Sequence, residues 1–372
     1  MQRSVEWTTC GSGFRISFFA VRFSLNAARS AYLAAAGSRG ARSRAASLLT
    51  LPLLITSLAG CGGESGQPGE QAAPAKAPQS SAPSATSAVK APARGAARVE
   101  CKDVASRILR RSVRYCAILP PSYDAAESAA RRYPVLYFLH GLGDNEQSLV
   151  NFGGWNLLEN LQDARRIGEY IVVTPAGGTG FYINARSGTN RYEDFFIREF
   201  VPAIERAYRI DPRRERRGLA GVSMGGYGAL RFAFAYPELF ASVSAHSAAL
   251  MESVPRVAPN SPRVQSRIQI LGGVFGMPLD EKFLEQQSPF TIAKQRPTAQ
   301  LKRVAIYFDC GSEDDYGFDA GAQAMHELLE RRGVAHEFHL YPGGHNPLYV
   351  AEHLPATFEF HSKAFGMTEK AK

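Results

Sequence analysis

Ser223 stands at the centre of Gly221-Val-Ser-Met-Gly225, behind a short apolar segment and ahead of Gly226-Tyr-Gly-Ala-Leu230. A hydroxyl on a sharp strand-to-helix turn is pushed into solvent, and glycines two positions to either side remove Cβ atoms that would clash in so tight a turn. The N–H of Met224 then faces the place where a tetrahedral oxyanion would form, aided by the partial positive charge at a helix start. Such a serine does acyl transfer if a base takes its proton and an acid orients that base. In chains with this turn the order is serine, acid, histidine.

Of the eight histidines, His345 has the setting of a base, because Tyr341-Pro-Gly-Gly-His345-Asn346 follows the last expected strand and its glycines let the loop swing an imidazole toward Ser223. The acid is sought between them, after the strand Val304–Phe308, where Asp309-Cys-Gly-Ser-Glu-Asp-Asp315 crowds four acids into one loop. Asp314 is the choice, with Glu313 and Asp315 as alternatives, while Asp309 falls too early, at the strand end. A second oxyanion donor is expected from His140-Gly-Leu-Gly-Asp144, at the N–H of Leu142, with His140 holding the loop rather than acting as a base. His336 and His339 would point to opposite faces of a strand, and no Cys or carboxylate cluster completes a metal site around them. His326, His353 and His361 read as helix-surface positions, and His246 reads as either cleft-lining or packed.

These residues need a frame of alternating strands and helices. Pro134–Leu139 and Tyr170–Thr174 are continuous apolar runs, as strands buried on both faces require. Gly218–Val222, Phe240–Ser244, Val304–Phe308 and Glu337–Tyr341 read as further strands. Ser106–Leu109 and Ser112–Leu119 read as an opening hairpin turning at Arg110-Arg111. Phe196, Phe200, Ile204 and Tyr208 recur every four residues and predict a helix over 192–208. Helices are also expected after Met224, over Ala320–Arg332 and over Pro347–Phe365. The alternation implies an α/β fold class, a mostly parallel sheet with helices on both faces and its ligand site at the carboxyl ends of the strands. Gly177–Arg191, with Phe181 and Tyr182 available to stack on an acyl or aromatic group, and Ala249–Pro289, where a lid could lie, are expected to shape the pocket.

Together, Leu119-Pro-Pro-Ser-Tyr123, Tyr133-Pro-Val-Leu-Tyr137, His140-Gly-Leu-Gly-Asp144, Gly221-Val-Ser-Met-Gly-Gly-Tyr-Gly-Ala-Leu230 and Gly343-Gly-His345 resemble the putative esterase (esterase D-like) family of α/β-hydrolases. That family includes feruloyl and acetyl esterases, S-formylglutathione hydrolases and trehalose mycolyltransferases. The resemblance spans about residues 103–365. It implies the α/β-hydrolase fold, no metal or organic cofactor, a Ser223–Asp314–His345 triad, and Leu142 and Met224 as backbone donors. One departure is local: Asn346-Pro347 follow the histidine where many relatives carry an acid and an aromatic residue. The expected activity is hydrolysis of a small-molecule or glycan ester through an acyl-enzyme. An acyltransferase using a sugar or lipid alcohol in place of water is the alternative, and a non-catalytic binding module is a third reading.

The remaining chain gives an address. Arg39, Arg42 and Arg44 precede a charge-free stretch, Ala45–Gly60, that ends in Leu58-Ala-Gly-Cys61. Positive residues, an apolar run and small residues before a cleavage point mark a secretory signal, and the cysteine makes the tetrapeptide similar to a lipoprotein lipobox. Residues 1–60 are therefore expected to be removed, Cys61 to be lipidated, 61–100 to form an Ala/Pro/Ser/Gly-rich tether, and 101–367 to form the catalytic domain. The expected location is the periplasm or surface of a bacterium. The net charge of +9 is concentrated before residue 61, where seven Arg meet one acid, and the nearly balanced remainder argues against nucleic acid as partner. Cys101, Cys116 and Cys310 leave pairing open. If Cys61 is the lipidated first residue, mass spectrometry of the membrane fraction finds a diacylated chain starting there, and Cys61→Ser abolishes both modification and processing. An unmodified Cys61 in the mature protein rules the anchor out.

Overall fold

The computed structural model describes residues 97–251 and 270–367. The signal, Cys61 and nearly all of the tether lie outside the described residues. Eight strands form one sheet: β1 (Arg98–Ser106), β2 (Arg111–Leu119), β3 (Val135–Leu139), β4 (Ile171–Pro175), β5 (Arg217–Val222), β6 (Ser242–His246), β7 (Ala305–Gly311) and β8 (Glu337–Tyr341). Their spatial order is β1-β2-β4-β3-β5-β6-β7-β8. β1 and β2 form an antiparallel hairpin, β2 lies antiparallel to β4, and the strands from β4 to β8 run parallel.

The hairpin differs from expectation. β1 begins at Arg98, inside the expected tether, and ends at Ser106, so the turn occupies Arg107–Arg110. The residues 106–109 that read as a strand are instead held by Glu199, which accepts from the backbone N–H groups of Arg107 and Ile108 at 3.2 and 3.3 Å. Cys101 and Cys116 face each other across the ladder and form a disulfide, leaving Cys310 free and buried.

Alternation along the inner strands sorts the core into two layers. Val135, Tyr137 and Leu139 of β3, with Ile171 and Val173 of β4, join the cluster that also holds Phe196, Phe200, Phe232, Met325 and Leu329. Leu136, Phe138, Val172 and Ala220 face the other way, against Leu158, Leu161, Leu354 and Phe358. Helices α1 (Gly154–Asp163), α2 (Val201–Ala207), α3 (Met224–Ala235), α4 (Phe318–Arg331) and α5 (Pro347–Ala364) thus divide between the two faces, with α1 and α5 on the second. The four-residue spacing from Phe196 to Tyr208 does mark a buried helical stripe. It runs through a π-helical turn, Phe196–Phe200, just ahead of Pro202, whose ring would collide with the Arg198 carbonyl of a regular helix. Among the described residues no helix is long and apolar enough to cross a membrane.

β6 begins two residues later than its composition suggests and carries Ser242, Ser244 and His246 toward α5. There, His361 is fully buried, not at the surface as its helical position suggested. Its ring nitrogens lie 2.8 Å from Ser242 Oγ and 3.0 Å from Ser244 Oγ. Burial, reinforced by nearby His246, pushes its pKa down to about 3. The folded ring therefore stays neutral where the unfolded one is charged, so the unfolded chain binds more protons between about pH 6.5 and pH 3. Stability is retained above that window and falls through it on acidification, by at most about 1.4 kcal/mol per pH unit for one proton. Melting temperatures of the wild type and of His361→Gln across this range should diverge toward neutral pH, with the flatter profile in the variant. Parallel profiles would show that His361 does not titrate in this way.

Candidate active site

The turn at Ser223 is as tight as the sequence suggests. A Cβ on Gly221 would lie 2.3 Å from the Gly225 carbonyl carbon, and one on Gly225 would lie 2.0 Å from the Leu139 carbonyl oxygen. Ser223 itself adopts φ 55°, a region that non-glycine residues rarely occupy and that clusters at functional sites. Met224 opens α3, so its N–H is among those a helix leaves without an internal partner.

Three side chains from separate elements meet here. His345 Nε2 is 3.0 Å from Ser223 Oγ, and His345 Nδ1 is 2.7 Å from Asp314 Oδ2. Asp314 is buried, whereas Glu313 and Asp315 are exposed. Its Oδ1 accepts from the Tyr316 N–H at 2.9 Å and the Phe318 N–H at 3.4 Å. Burial alone would raise the pKa of Asp314, but the bonds from His345 and from these backbone donors outweigh it and hold the carboxyl below its usual range. The ring of His345 is flanked edge-on by Tyr316 and Phe318, at 4.7 and 5.4 Å between centroids. Asn346 and Pro347, the departure from the family pattern, start α5: Asn346 Oδ1 accepts from the Tyr349 N–H at 3.0 Å and Pro347 takes the first turn.

His140 is the brace of the neighbouring loop. Its Nε2 accepts from the Gly177 N–H at 2.8 Å, so the proton of the neutral ring sits on Nδ1 and is donated to the Gly141 carbonyl, also at 2.8 Å. Burial lowers its pKa, in keeping with a neutral ring. Because a trans peptide points its C=O and N–H in opposite directions, a Gly141 carbonyl turned to His140 sends the Leu142 N–H the other way. Gly141 itself lies beside Ser223, with its would-be Cβ 3.7 Å from Ser223 Cβ.

Other expected positions fall elsewhere. Phe181 and Tyr182 are buried, with φ of 53° and 59°. Phe181 packs on Tyr227 and Phe275, and Tyr182 donates to the His140 carbonyl at 3.0 Å, so both belong to the core beneath the site. Within the expected lid, Val274 and Phe275 are buried and Arg186 N–H bonds the Val274 carbonyl at 2.7 Å, while 252–269 lie outside the described residues. An open cavity of about 500 Å³ between these segments, lined by Arg111, Gly178, Asn190, Ile270 and Val274 among others, includes none of Ser223, Asp314 and His345. His246 is fully buried and does not line the cleft. Among the described residues no group of three His, Cys, Asp or Glu side chains could hold a metal ion.

The architecture is the α/β-hydrolase fold. The family model described as putative esterase matches residues 106–361, and the chain belongs to that family. It is 32% identical over 245 residues to an esterase of Mycobacterium tuberculosis, covering 61% of this chain and 51% of that protein. The chain thus spans about half the length of that relative. An acetyl esterase of Caldicellulosiruptor saccharolyticus is 22% identical over 263 residues, 69% of this chain and 96% of its own. Among solved structures, a ferulic acid esterase superposes with a TM-score of 0.62 at 26% identity, covering 73% of this chain and all of that one.

The brace can be tested on its own. His140→Ala removes both ring bonds while leaving Ser223 and His345 untouched. We expect kcat for ester hydrolysis to fall at least about tenfold, short of the ~10²–10³ lost when an oxyanion donor is deleted outright. An unchanged kcat in the folded variant would show that the loop holds its shape without the ring.

Proposed function

We propose that this chain is a serine carboxylesterase that works through an acyl-enzyme. The observation that carries the reading is the relay from Asp314 through His345 to Ser223, with links of 2.7 and 3.0 Å, ending on a nucleophile held at φ 55°. Ser223 Oγ attacks the ester carbonyl carbon while His345 Nε2 takes its proton. The N–H groups of Leu142 and Met224 receive the oxyanion. His345 returns the proton to the leaving alcohol, and the acyl group remains on Ser223. Water, deprotonated by His345, then attacks the acyl-enzyme and releases the acid. Asp314 keeps the proton of His345 on Nδ1 and stabilises the imidazolium without itself accepting a proton.

The substrate we propose is a carboxylic ester with an apolar or aromatic acyl group on a small-molecule or glycan alcohol. Two kinds of observation support it. The side chains of Leu142 and Tyr316, in the loops that follow β3 and β7, and of Leu348, in the first turn of α5 three residues beyond His345, are exposed. By their names, the acetyl esterase and the ferulic acid esterase among the relatives act on acetyl and ferulic acid esters. Export and anchoring at Cys61 are part of the same proposal. The Cys101–Cys116 disulfide supports them, because such bonds form and persist in oxidising compartments.

Hydrolysis of p-nitrophenyl esters of increasing chain length, beside feruloyl and acetyl-sugar esters, tests the reading. Ser223→Ala should abolish turnover in a folded protein, and wild-type rates there would overturn the assignment. Asp314→Asn should lower kcat by about 10⁴, since the amide favours the wrong imidazole tautomer. Glu313→Gln and Asp315→Asn, altering exposed side chains, should leave most activity. A crippled Asp315→Asn beside an active Asp314→Asn would move the acid by one residue.

A further inference from the structure

Strands covered on both faces are expected to be apolar on both. The face of β6 and β7 that α5 covers is not. It carries Ser242, Ser244, His246, Tyr307 and Asp309, each at most 2% exposed. The opposite face of the same strands is apolar: Val243, Ala245, Ile306 and Phe308. From α5, Tyr349, Thr357 and His361 complete the polar layer. They lie at four-residue multiples along one stripe of the helix.

The layer is one hydrogen-bonded chain. His361 joins Ser242 and Ser244 as above. Ser244 Oγ and Thr357 Oγ1 are 3.1 Å apart, and Thr357 Oγ1 is 2.6 Å from His246 Nε2. His246 Nδ1 is 2.7 Å from Asp309 Oδ2, across the β6–β7 register that pairs the two residues. Tyr307 donates to Asp309 Oδ2 and Tyr349 to Asp309 Oδ1, both at 2.8 Å. None of these atoms is among the buried polar atoms left without a partner. The chain ends on a carboxylate with three donors. Burial would raise its pKa, but His246 and the tyrosine hydroxyls outweigh this and keep it ionised.

Asp309 does not reach Ser223, yet every element that carries the triad touches this chain. The His246 carbonyl accepts from the Ser223 N–H at 2.9 Å. β7 continues from Asp309 into the turn that holds Asp314. Tyr349, fixed at its ring by Asp309, donates its N–H to Asn346, the residue after His345. The Gly343 carbonyl, two residues before His345, accepts from the Glu313 N–H at 2.9 Å, beside Asp314. We propose that Asp309 and Tyr349 are positioning residues of the reaction: Asp309, in a second, solvent-free histidine–carboxylate pair with His246, holds Tyr349 and thereby fixes α5 on the sheet and the loop bearing His345. This rests on the reading of Ser223, Asp314 and His345 as the triad. The physical reason is directionality. A fully apolar layer could hold α5 with comparable stability, but apolar contacts specify no direction, whereas this chain of bonds selects one register. A base displaced by about 1 Å costs a factor of about 10² in rate.

The two carboxylates make opposite predictions for the same substitution. Asp309→Asn keeps an oxygen for Tyr349 and turns an acceptor toward His246 into a donor. The imidazole can answer with its proton on Nε2, which Thr357 Oγ1 can accept while it donates to Ser244 Oγ, and the Tyr307 hydroxyl can turn to accept from the amide. Placement survives, so kcat should stay within about tenfold of wild type, against the loss of about 10⁴ in Asp314→Asn. Tyr349→Phe keeps the ring and removes only the bond to Asp309. Its kcat should fall about 10- to 100-fold with KM within about twofold, because the base is misplaced while the binding walls stay intact. Asp309→Ala strips three buried donors and can unfold, so Tyr349→Phe carries the test, with thermal melting measured beside the kinetics. A folded Tyr349→Phe enzyme with wild-type kcat, or one altered only in KM, overturns the proposal. So does an Asp309→Asn enzyme as damaged as Asp314→Asn, since charge rather than placement would then matter. If Asp314→Asn stays active, the triad reading fails and this proposal fails with it. If Asp314→Asn is inactive while Tyr349→Phe is unaffected, positioning alone fails.

Discussion

At Gly225 the backbone of the nucleophile turn lies so close to the end of β3 that a single added carbon would sit 2.0 Å from the Leu139 carbonyl oxygen. That approach joins two strands whose ends do different jobs. β5 delivers Ser223, and β3, paired with it so that Leu139 lies opposite Gly221, delivers the loop from His140 to Asp144. Parallel neighbours end on the same side of a sheet, so the turn at Ser223 and the loop from His140 to Asp144 are neighbours by construction. Ser223 keeps a disfavoured φ because its N–H is held by the His246 carbonyl and its carbonyl accepts from the Tyr227 and Ala249 N–H groups. The strain at one residue is thus distributed over β6, α3 and the chain beyond β6.

What the sequence revealed of this frame depends on how each strand is buried. β3 and β4 are covered on both faces and read as apolar runs, so they stand within a residue of where they were expected. β1 is an edge strand, exposed or half-buried over nearly all its length, so it lacks the apolar run that marks a buried strand, and its first three residues, Arg98–Glu100, fell within the expected tether. β6 was displaced because Ser-Val-Ser-Ala-His lacks the apolar face that identifies a buried strand. Phe181 and Tyr182 looked like binding residues because aromatics in a glycine-rich loop suggest stacking. Their positive φ values turn both rings inward, which no local pattern announces.

The site was more legible than the fold around it. Ser223, Asp314 and His345 each follow a strand, and spacing after a strand is what the one-dimensional pattern preserves. Asp314 stood among four acids; burial separates it from Glu313 and Asp315, which face solvent, and its bond to His345 separates it from Asp309, which is buried against His246. Asp309 and His246 were passed over for a related reason. A position inside a strand says which face a side chain occupies, but whether that face meets solvent, apolar side chains or another polar group depends on α5, an element that arrives only later in the chain.

Two histidine–carboxylate pairs with the same 2.7 Å separation therefore coexist in this molecule, and composition cannot tell them apart. Surroundings do. The His345 side chain keeps 16% of its surface in solvent and directs Nε2 at a hydroxyl, whereas His246 has none and directs Nε2 at Thr357 inside the layer. The first opens on the Ser223 hydroxyl and on solvent. The second opens only on Thr357, a hydroxyl that is itself fully buried. Access to solvent and to the Ser223 hydroxyl, rather than the dyad itself, separates the pair proposed for chemistry from the pair proposed to hold it in place.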